Sequence, residues 1–317
     1  MNTLLFGLHF IILFIAVSYC KSDCDKLAEI LRKWNVEVNW DTSDGCCASS
    51  EVIFCNSQNE ITDLYLEGKT ISGELHDIIG EFNSLQYLCL NNNNLSGPIP
   101  ESIGNLKELK YLDLSDNKLT SLPSSISNLS NLEYLYLQNN EINSELPPKI
   151  GNMENLIKLN ISNNKFHGEV PDSFSDLHEL RYAIMNNNEL SGNIPSDFHK
   201  LTKIEELNLN SNKLRGNIPV EVGQNLNINN LNLGNNFFFG DLPKGLSYET
   251  LNFEYFCVEN NYITGTIPES YYTDNSDFCD NNSQKDIKSL PSSANRAQIS
   301  KLFIMILNVI AIFYLLF

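Results

Sequence analysis

The chain reads as an α/β repeat solenoid, a curved right-handed superhelix with a parallel sheet along its concave side, and three observations predict it. One apolar phrase, L-x-x-L-x-L-x-x-N-x-L-x-G-x-I-P, recurs nine times between residues 61 and 268. Its second leucine position falls at Leu64, Leu88, Leu112, Leu135, Leu159, Ala183, Leu207, Leu231 and Phe256, in steps of 23 to 25 residues. An asparagine stands at a fixed offset in eight of the nine copies, at Asn93, Asn117, Asn140, Asn164, Asn188, Asn212, Asn236 and Asn261. A unit of this size cannot bury its own apolar face and must stack on a neighbour.

Each phrase explains a part of the coil. In Leu112-Asp113-Leu114 the leucines point inward and the residue between them faces out, as alternation along a strand requires. The recurring asparagine offers donors and an acceptor to backbone groups left unpaired where the chain turns. Lys69 takes that place in the first copy, so the ladder starts one coil late. Gly73, Gly97, Gly168, Gly192, Gly216, Gly240 and Gly265 mark a bend or a close approach of coils. Pro100, Pro123, Pro147, Pro171, Pro195, Pro219, Pro243 and Pro268 end that segment, because proline cannot donate to a ladder. A 24-residue period with this phrasing is the signature of a leucine-rich repeat.

The G-x-I-P half, with the I-G-x-L that follows it at Ile103–Leu106 and a similar I-G-x-M at Ile150–Met153, resembles the plant-type leucine-rich repeat. Over about two thirds of its length the chain is similar to polygalacturonase-inhibiting proteins and to the ectodomains of plant receptor-like kinases and receptor-like proteins. The resemblance implies a binding solenoid rather than an enzyme. It does not choose a ligand.

Before the repeats, residues 1–20 carry an apolar run over 4–17 and small residues at Ser18 and Cys20, which suits a signal peptide cleaved before Lys21. Residues 21–60 read as an N-terminal cap. Leu27, Ile30, Leu31 and Trp34 give a helix with one apolar stripe, started by Ser22 or Asp23. Four cysteines follow the helix start and allow three pairings. The resemblance implies Cys24 with Cys46 and Cys47 with Cys55. Zinc is the competing use of these sulfurs, but adjacent cysteines lack ligand spacing and a secretory route favours oxidation.

After the repeats, residues 269–281 read as a C-terminal cap, with Cys257 and Cys279 placed to pin the last coil. Cys89 is then the odd cysteine, expected on the exposed concave face. Residues 282–293 form a polar linker too poor in apolar groups to order itself. Residues 294–317 read as a propeptide for glycosylphosphatidylinositol attachment at Ser292 or Ser293, with a spacer through Lys301 and an apolar run over 302–317. The alternative is a transmembrane helix, which sixteen residues at about 1.5 Å each leave short of the roughly 30 Å core. Either way the reading is an extracellular, cell-surface, membrane-held protein.

The formal charge is −18, and loss of Arg296 and Lys301 with the propeptide takes it to −20. Nucleic acid is excluded as a partner, since phosphates need a basic face. Sequons at Asn94, Asn128, Asn160 and Asn281 are candidate glycan sites, with Asn160 on the concave face. His76, His167, His178 and His199 lie outside the L-x-L strands and none is spaced with a second metal ligand, so no metal or cofactor is expected. No phosphate loop, nucleophile elbow or paired carboxylate motif appears. Concave Asp113 and Glu133 could face each other on adjacent coils.

The outward strand positions carry the functional signal. Tyr87, Tyr111 and Tyr134 share one place in successive copies, Tyr182 and Tyr255 repeat it, and Tyr65 and Tyr136 lie alongside. Strands about 4.8 Å apart stack the first three into a ridge of the rigid, amphipathic rings that interfaces use as anchors. The partner-binding set is Tyr65, Tyr87, Tyr111, Asp113, Tyr134, Tyr136 and Tyr182. An extracellular protein or peptide is the expected partner, a glycan stacked on the same rings the alternative.

Overall fold

The structure, a computed structural model, describes residues 22–37, 45–47, 52–225, 227–243, 245–246, 253–264 and 277–278. The signal peptide, Cys20, Cys279, Asn281, Gly265, Pro268, the linker and residues 294–317 lie outside them.

The cap begins with the helix Asp23–Lys33, closed at its N-terminus by Ser22 and Asp25 in a reciprocal capping box. Leu27, Ile30, Leu31 and Trp34 are buried against the first coil. The Trp34 indole N–H donates to the carbonyl of Glu74 at 2.8 Å. Disulfides join Cys24 to Cys46 and Cys47 to Cys55, the pairs that the resemblance implies. Three of these sulfurs, those of Cys24, Cys46 and Cys47, lie close enough together to suggest a metal cluster, but all are committed to disulfide bonds.

The strand Ile53–Cys55 pairs antiparallel with Ile61–Tyr65 and so heads the concave sheet. Parallel strands then follow at Tyr87–Cys89, Tyr111–Asp113, Tyr134–Tyr136, Lys158–Asn160, Tyr182–Ile184, Glu206–Asn208, Asn230–Asn232 and Tyr255–Cys257, with Asp277–Phe278 last. Their register aligns Leu64, Leu88, Leu112, Leu135, Leu159, Ala183, Leu207, Leu231 and Phe256, all buried, into one inward column. Cys257 is disulfide-bonded to a partner outside the described residues.

The asparagine ladder satisfies the turns as the sequence predicts. Asn140 accepts the N–H of Ile142's counterpart Leu119 at 2.9 Å and donates to the carbonyls of Leu114 and Leu137 at 3.0 and 3.1 Å. Asn164 repeats the set one coil on, accepting from Ile142 and donating to Leu137 and Ile161. The residue before each ladder position adopts positive φ, near 55°, at Asn92, Asp116, Asn139, Asn163, Asn187, Ser211, Asn235 and Asn260. Asparagine and aspartate tolerate that left-handed conformation best among residues with a side chain. Their exposed side chains link as well: Asn187 donates to Asn163, Asn163 to Asn139, and Asn139 to the carboxylate of Asp116.

The G-x-I-P half forms a second parallel layer that the repeat phrase did not announce. It has three strands, Ser72–Glu74, Asn94–Pro98 and Lys118–Ser121, then five more from His167–Glu169 to Tyr262–Thr264. His167 therefore sits in a strand, contrary to its expected place off the sheet. His199 lies in a 3₁₀ turn and His76 caps one. The glycines of this layer, such as Gly97 at φ +74° and Gly216 at φ +90°, supply a backbone conformation that side chains disfavour. The layer breaks after Ser121, where the third copy is a residue short and the fourth has Ser144 in place of glycine. Strand pairing there is reduced to an isolated bridge from Glu145 to His167, although backbone hydrogen bonds such as Asn143 N–H to the Thr120 carbonyl and His167 N–H to the Ser144 carbonyl still cross it.

On the convex side each coil closes through a short 3₁₀ turn, with Pro100, Pro123, Pro171, Pro195 and Pro219 at the N-caps. The glycines of I-G-x-L are the ones that let coils touch. A Cβ at Gly80 or Gly151 would sit 2.2 Å from the carbonyl oxygen of the next coil. Phe174 and Phe198 fill this side, stacked at 5.8 Å.

Candidate partner-binding face

Strand register places Tyr87, Tyr111 and Tyr134 side by side. Their rings contact in series, with centroids 6.2 Å apart at 26° between the first two and 5.9 Å at 39° between the next. Tyr136 leans on Tyr111 at 5.5 Å. All are half-buried.

A second column runs beside them through Tyr65, Cys89, Asp113, Tyr136 and Asn160. Asp113 therefore lies among aromatic rings and faces Tyr136 across the strand, whereas Glu133 falls outside the strand Tyr134–Tyr136 and is not its register neighbour. Asp113 accepts the N–H and hydroxyl of Ser115 at 3.0 and 2.6 Å. Burial lifts its carboxyl above the usual aspartate value despite these two bonds. Burial also raises the Tyr111 and Tyr136 hydroxyls, with the Asp113 charge adding to the effect, so they stay protonated donors. Tyr65 is pushed up to about 12 by burial and by Asp63, to which its hydroxyl donates at 3.3 Å.

Cys89 corrects an expectation. The alternation puts it on the concave face, yet it is buried, at 8% exposure, between Tyr65 and Asp113 in the second column. Burial first, then Asp113, Glu67 and Asp63, push its thiol to about 12. Large neighbours on adjacent strands cover a small side chain, an effect that alternation within one strand does not contain. Cys89 is a free, inert thiol.

Tyr182 does not touch the tyrosine series directly. Lys158 stands between them in the same column, its ammonium 5.6 Å from the Tyr136 ring and 5.4 Å from that of Tyr182. Sequence reasoning passed over this cation, although its place in the tyrosine column was the available signal. The Tyr182 hydroxyl donates to Glu205 at 2.7 Å, and that bond raises it. At the other end Phe54 meets Tyr65 edge-on at 6.0 Å, carrying the aromatic row onto the cap.

Of the sequons, Asn94 and Asn128 are exposed. Asn160 is half-buried on the concave face, its amide oxygen held by the Ser162 N–H and hydroxyl at 3.1 and 2.8 Å. Among the described residues no helix is long and apolar enough to cross a membrane.

Comparison with known proteins agrees with the geometry. The leucine-rich-repeat family profile matches residues 83–142 and 154–214. No curated protein matches the chain in sequence. Among solved structures it is similar to the ectodomain of the plant membrane receptor kinase GASSHO1/SCHENGEN3 from Arabidopsis thaliana, solved with CASPARIAN STRIP INTEGRITY FACTOR 2. That match has 31% identity and a TM-score of 0.70, over 73% of this chain and 28% of that one. It is similar to the Arabidopsis receptor kinase HAESA, solved with the peptide hormone IDA and the co-receptor SERK1, at 36% identity and TM-score 0.61, over 64% and 34% of the two chains. A plant ice-binding protein matches at 25% identity and TM-score 0.61, over 82% of this chain and 96% of its own. The chain thus spans about a third or less of the two receptor chains. It is a leucine-rich-repeat protein of the plant type, similar in fold to receptor-kinase ectodomains.

Proposed function

We propose that the protein is an extracellular recognition module, held at a membrane, that binds a protein or peptide on the tyrosine-bearing part of its concave face. The observation that carries this reading is the preformed series Tyr87, Tyr111 and Tyr134. Rings fixed by the solenoid lose little freedom on binding, which lowers the cost of association. One solved neighbour is in complex with the peptide hormone IDA and another with CASPARIAN STRIP INTEGRITY FACTOR 2, which supports a peptide or protein ligand here. The ice-binding neighbour shows that the solenoid alone does not choose the ligand. Inhibition of a secreted glycanase is one special form of this reading.

Ring packing favours the protein reading over the glycan one. A sugar stacks on an open aromatic face, whereas the Tyr111 ring is in contact with Tyr87, Tyr134 and Tyr136. A packed row of half-buried tyrosines suits the apolar groups and carbonyls of a polypeptide. The surroundings, Asp63, Glu67, Asp113 and Asp116, favour a basic partner, which would associate faster at low salt.

Entry into the secretory route through residues 1–20, and lipid attachment near Ser292 or Ser293, complete the proposal. Capture from cell surfaces with the intact protein, beside a glycan array, tests it. Recovery of one protein partner, lost on replacement of Tyr87, Tyr111 and Tyr134, supports the reading. Array binding by the same residues with no protein recovered replaces it with the glycan reading.

A further inference from the structure

The described residues expose few large apolar side chains, and three of them gather in one place. Phe237, Phe239 and Tyr262 are 48%, 53% and 51% exposed. Phe237 and Phe239 stand two apart on the strand Phe237–Asp241, so they project to the same side. Phe239 is the register neighbour of Tyr262, and the Phe237 and Tyr262 rings stack at 6.3 Å and 15°. On the other flank the register neighbour of Phe237 is Arg215, exposed and with no carboxylate partner among the described residues. Lys213, on the same strand, is held by Glu189 at 2.7 Å.

This cluster lies on the last strands of the second layer, at the end of the solenoid from which the chain runs on to the proposed lipid attachment at Ser292 or Ser293. The stretch from Thr264 to Ser292 reaches at most roughly 100 Å when fully extended, at about 3.5 Å per residue. With that lipid in a bilayer, this end of the solenoid is confined near the surface, and confinement makes even a weak contact frequent. We propose that Phe237, Phe239 and Tyr262, with Arg215, seat the C-terminal end of the solenoid on the headgroup layer of a bilayer. This rests on the membrane-held reading above.

The chemistry fits that occupant. A tyrosine ring with its polar tip, here Tyr262, settles at the boundary between acyl chains and headgroups, phenylalanine rings such as Phe237 and Phe239 bury on its acyl side, and an arginine stem lies along apolar surface while its guanidinium pairs with phosphate. A chain of charge −18 gains nothing from an anionic surface, so the zwitterionic headgroup is the matching one. Seated this way, the solenoid holds its tyrosine series away from the bilayer, open to partners.

The test is hydroxyl-radical footprinting of the full chain in phosphatidylcholine nanodiscs, one chain per disc. Phe54, 48% exposed at the opposite end, is the internal reference. The expected result is labelling at Phe237, Phe239 and Tyr262 at least fivefold lower than at Phe54 after correction for intrinsic reactivity, with Arg215→Glu restoring it in part. If the chain enters the discs and the three residues label as Phe54 does, the seating is wrong while the membrane-held reading stands. If the chain does not travel with the discs, both fall. Protection that grows with protein concentration in detergent, without discs, assigns the patch to a second copy and overturns the bilayer as its occupant.

Discussion

The carboxylate of Asp23 accepts the backbone N–H of Ile61 at 2.9 Å, tying the first turn of the cap helix to the first strand of the solenoid. Asp23 is itself buried and also meets the Lys26 ammonium at 3.2 Å. One side chain thus favours the helix start, where a negative charge is stabilising, and satisfies a buried backbone N–H at the start of the strand Ile61–Tyr65. Asp23→Ala leaves a buried N–H unpaired and should cost about 1–3 kcal/mol. Urea unfolding midpoints check this, and a shift within experimental error of zero would remove the cap contact from the account.

The two disulfides act on the same cap. Replacing Cys47 and Cys55 by serine should cost roughly 2–5 kcal/mol, the range for native bridges in small secreted units. Thermal unfolding of that variant, with the Cys24–Cys46 bridge kept, should show an earlier loss of Trp34 fluorescence than of the repeats.

The buried and exposed amides of adjacent positions make a controlled pair. Asn164→Leu orphans the buried N–H of Ile142 and takes one amide donor from the carbonyls of Leu137 and Ile161, which Asn140 and Asn188 still reach, and should cost about 2 kcal/mol. Asn163→Gly, next to it, loses only the exposed links to Asn139 and Asn187 and keeps its positive φ at no steric cost, so it should cost less than about 1 kcal/mol. Equal losses would mean that the exposed amide chain carries as much as the buried ladder.

Asp113 makes a pH prediction. Its folded value lies above the ordinary aspartate value of 3.8, because burial opposes the charged form. Such a group favours folding while protonated, below about 3.8, and gives that up as pH rises through its folded value. The chain holds a neutral version of the site: Asn160, two strands along the same column, receives the same two bonds from Ser162 that Asp113 receives from Ser115. Asp113→Asn should therefore be more stable than the parent at pH 7, with the gap closing as pH falls through the raised folded value towards 3.8. A gap that widens in acid would contradict the sign.

For the proposed interface, Tyr111→Ala should weaken binding of the captured partner by about 2 kcal/mol or more, since its ring touches Tyr87, Tyr134 and Tyr136. Asn208→Ala and Asn232→Ala, on later strands of the same face, should cost much less. The reverse order in titration calorimetry would move the site along the solenoid.

Periodicity made the solenoid, the inward column and the asparagine ladder legible, because each is a rule about fixed offsets in one chain. What it could not show depends on neighbours in space. Cys89 alternates outward yet is covered by side chains from other strands, and Lys158 gains its meaning only between Tyr136 and Tyr182. The second layer was half visible. Its glycines and prolines were read as bends and stops, but the pairing of successive G-x-I-P segments follows from stacking. The I-G-x-L glycines were used only as a resemblance, although Gly151 leaves no room for a Cβ against Ser173.

The gap in the second layer has a mechanical side. Between Ser121 and His167 the coils are joined by the concave strands, the ladder, the convex packing and single backbone hydrogen bonds such as those from Asn143 to Thr120 and His167 to Ser144, while elsewhere paired strands splint them. A beam whose flange thins over part of its length is more compliant there, so curvature fluctuations should concentrate at the third to fifth coils. The Tyr111–Tyr134 contact crosses the same joint. A ligand gripping both rings would act as a brace, and its arrival would be felt as a stiffer arc along the whole molecule.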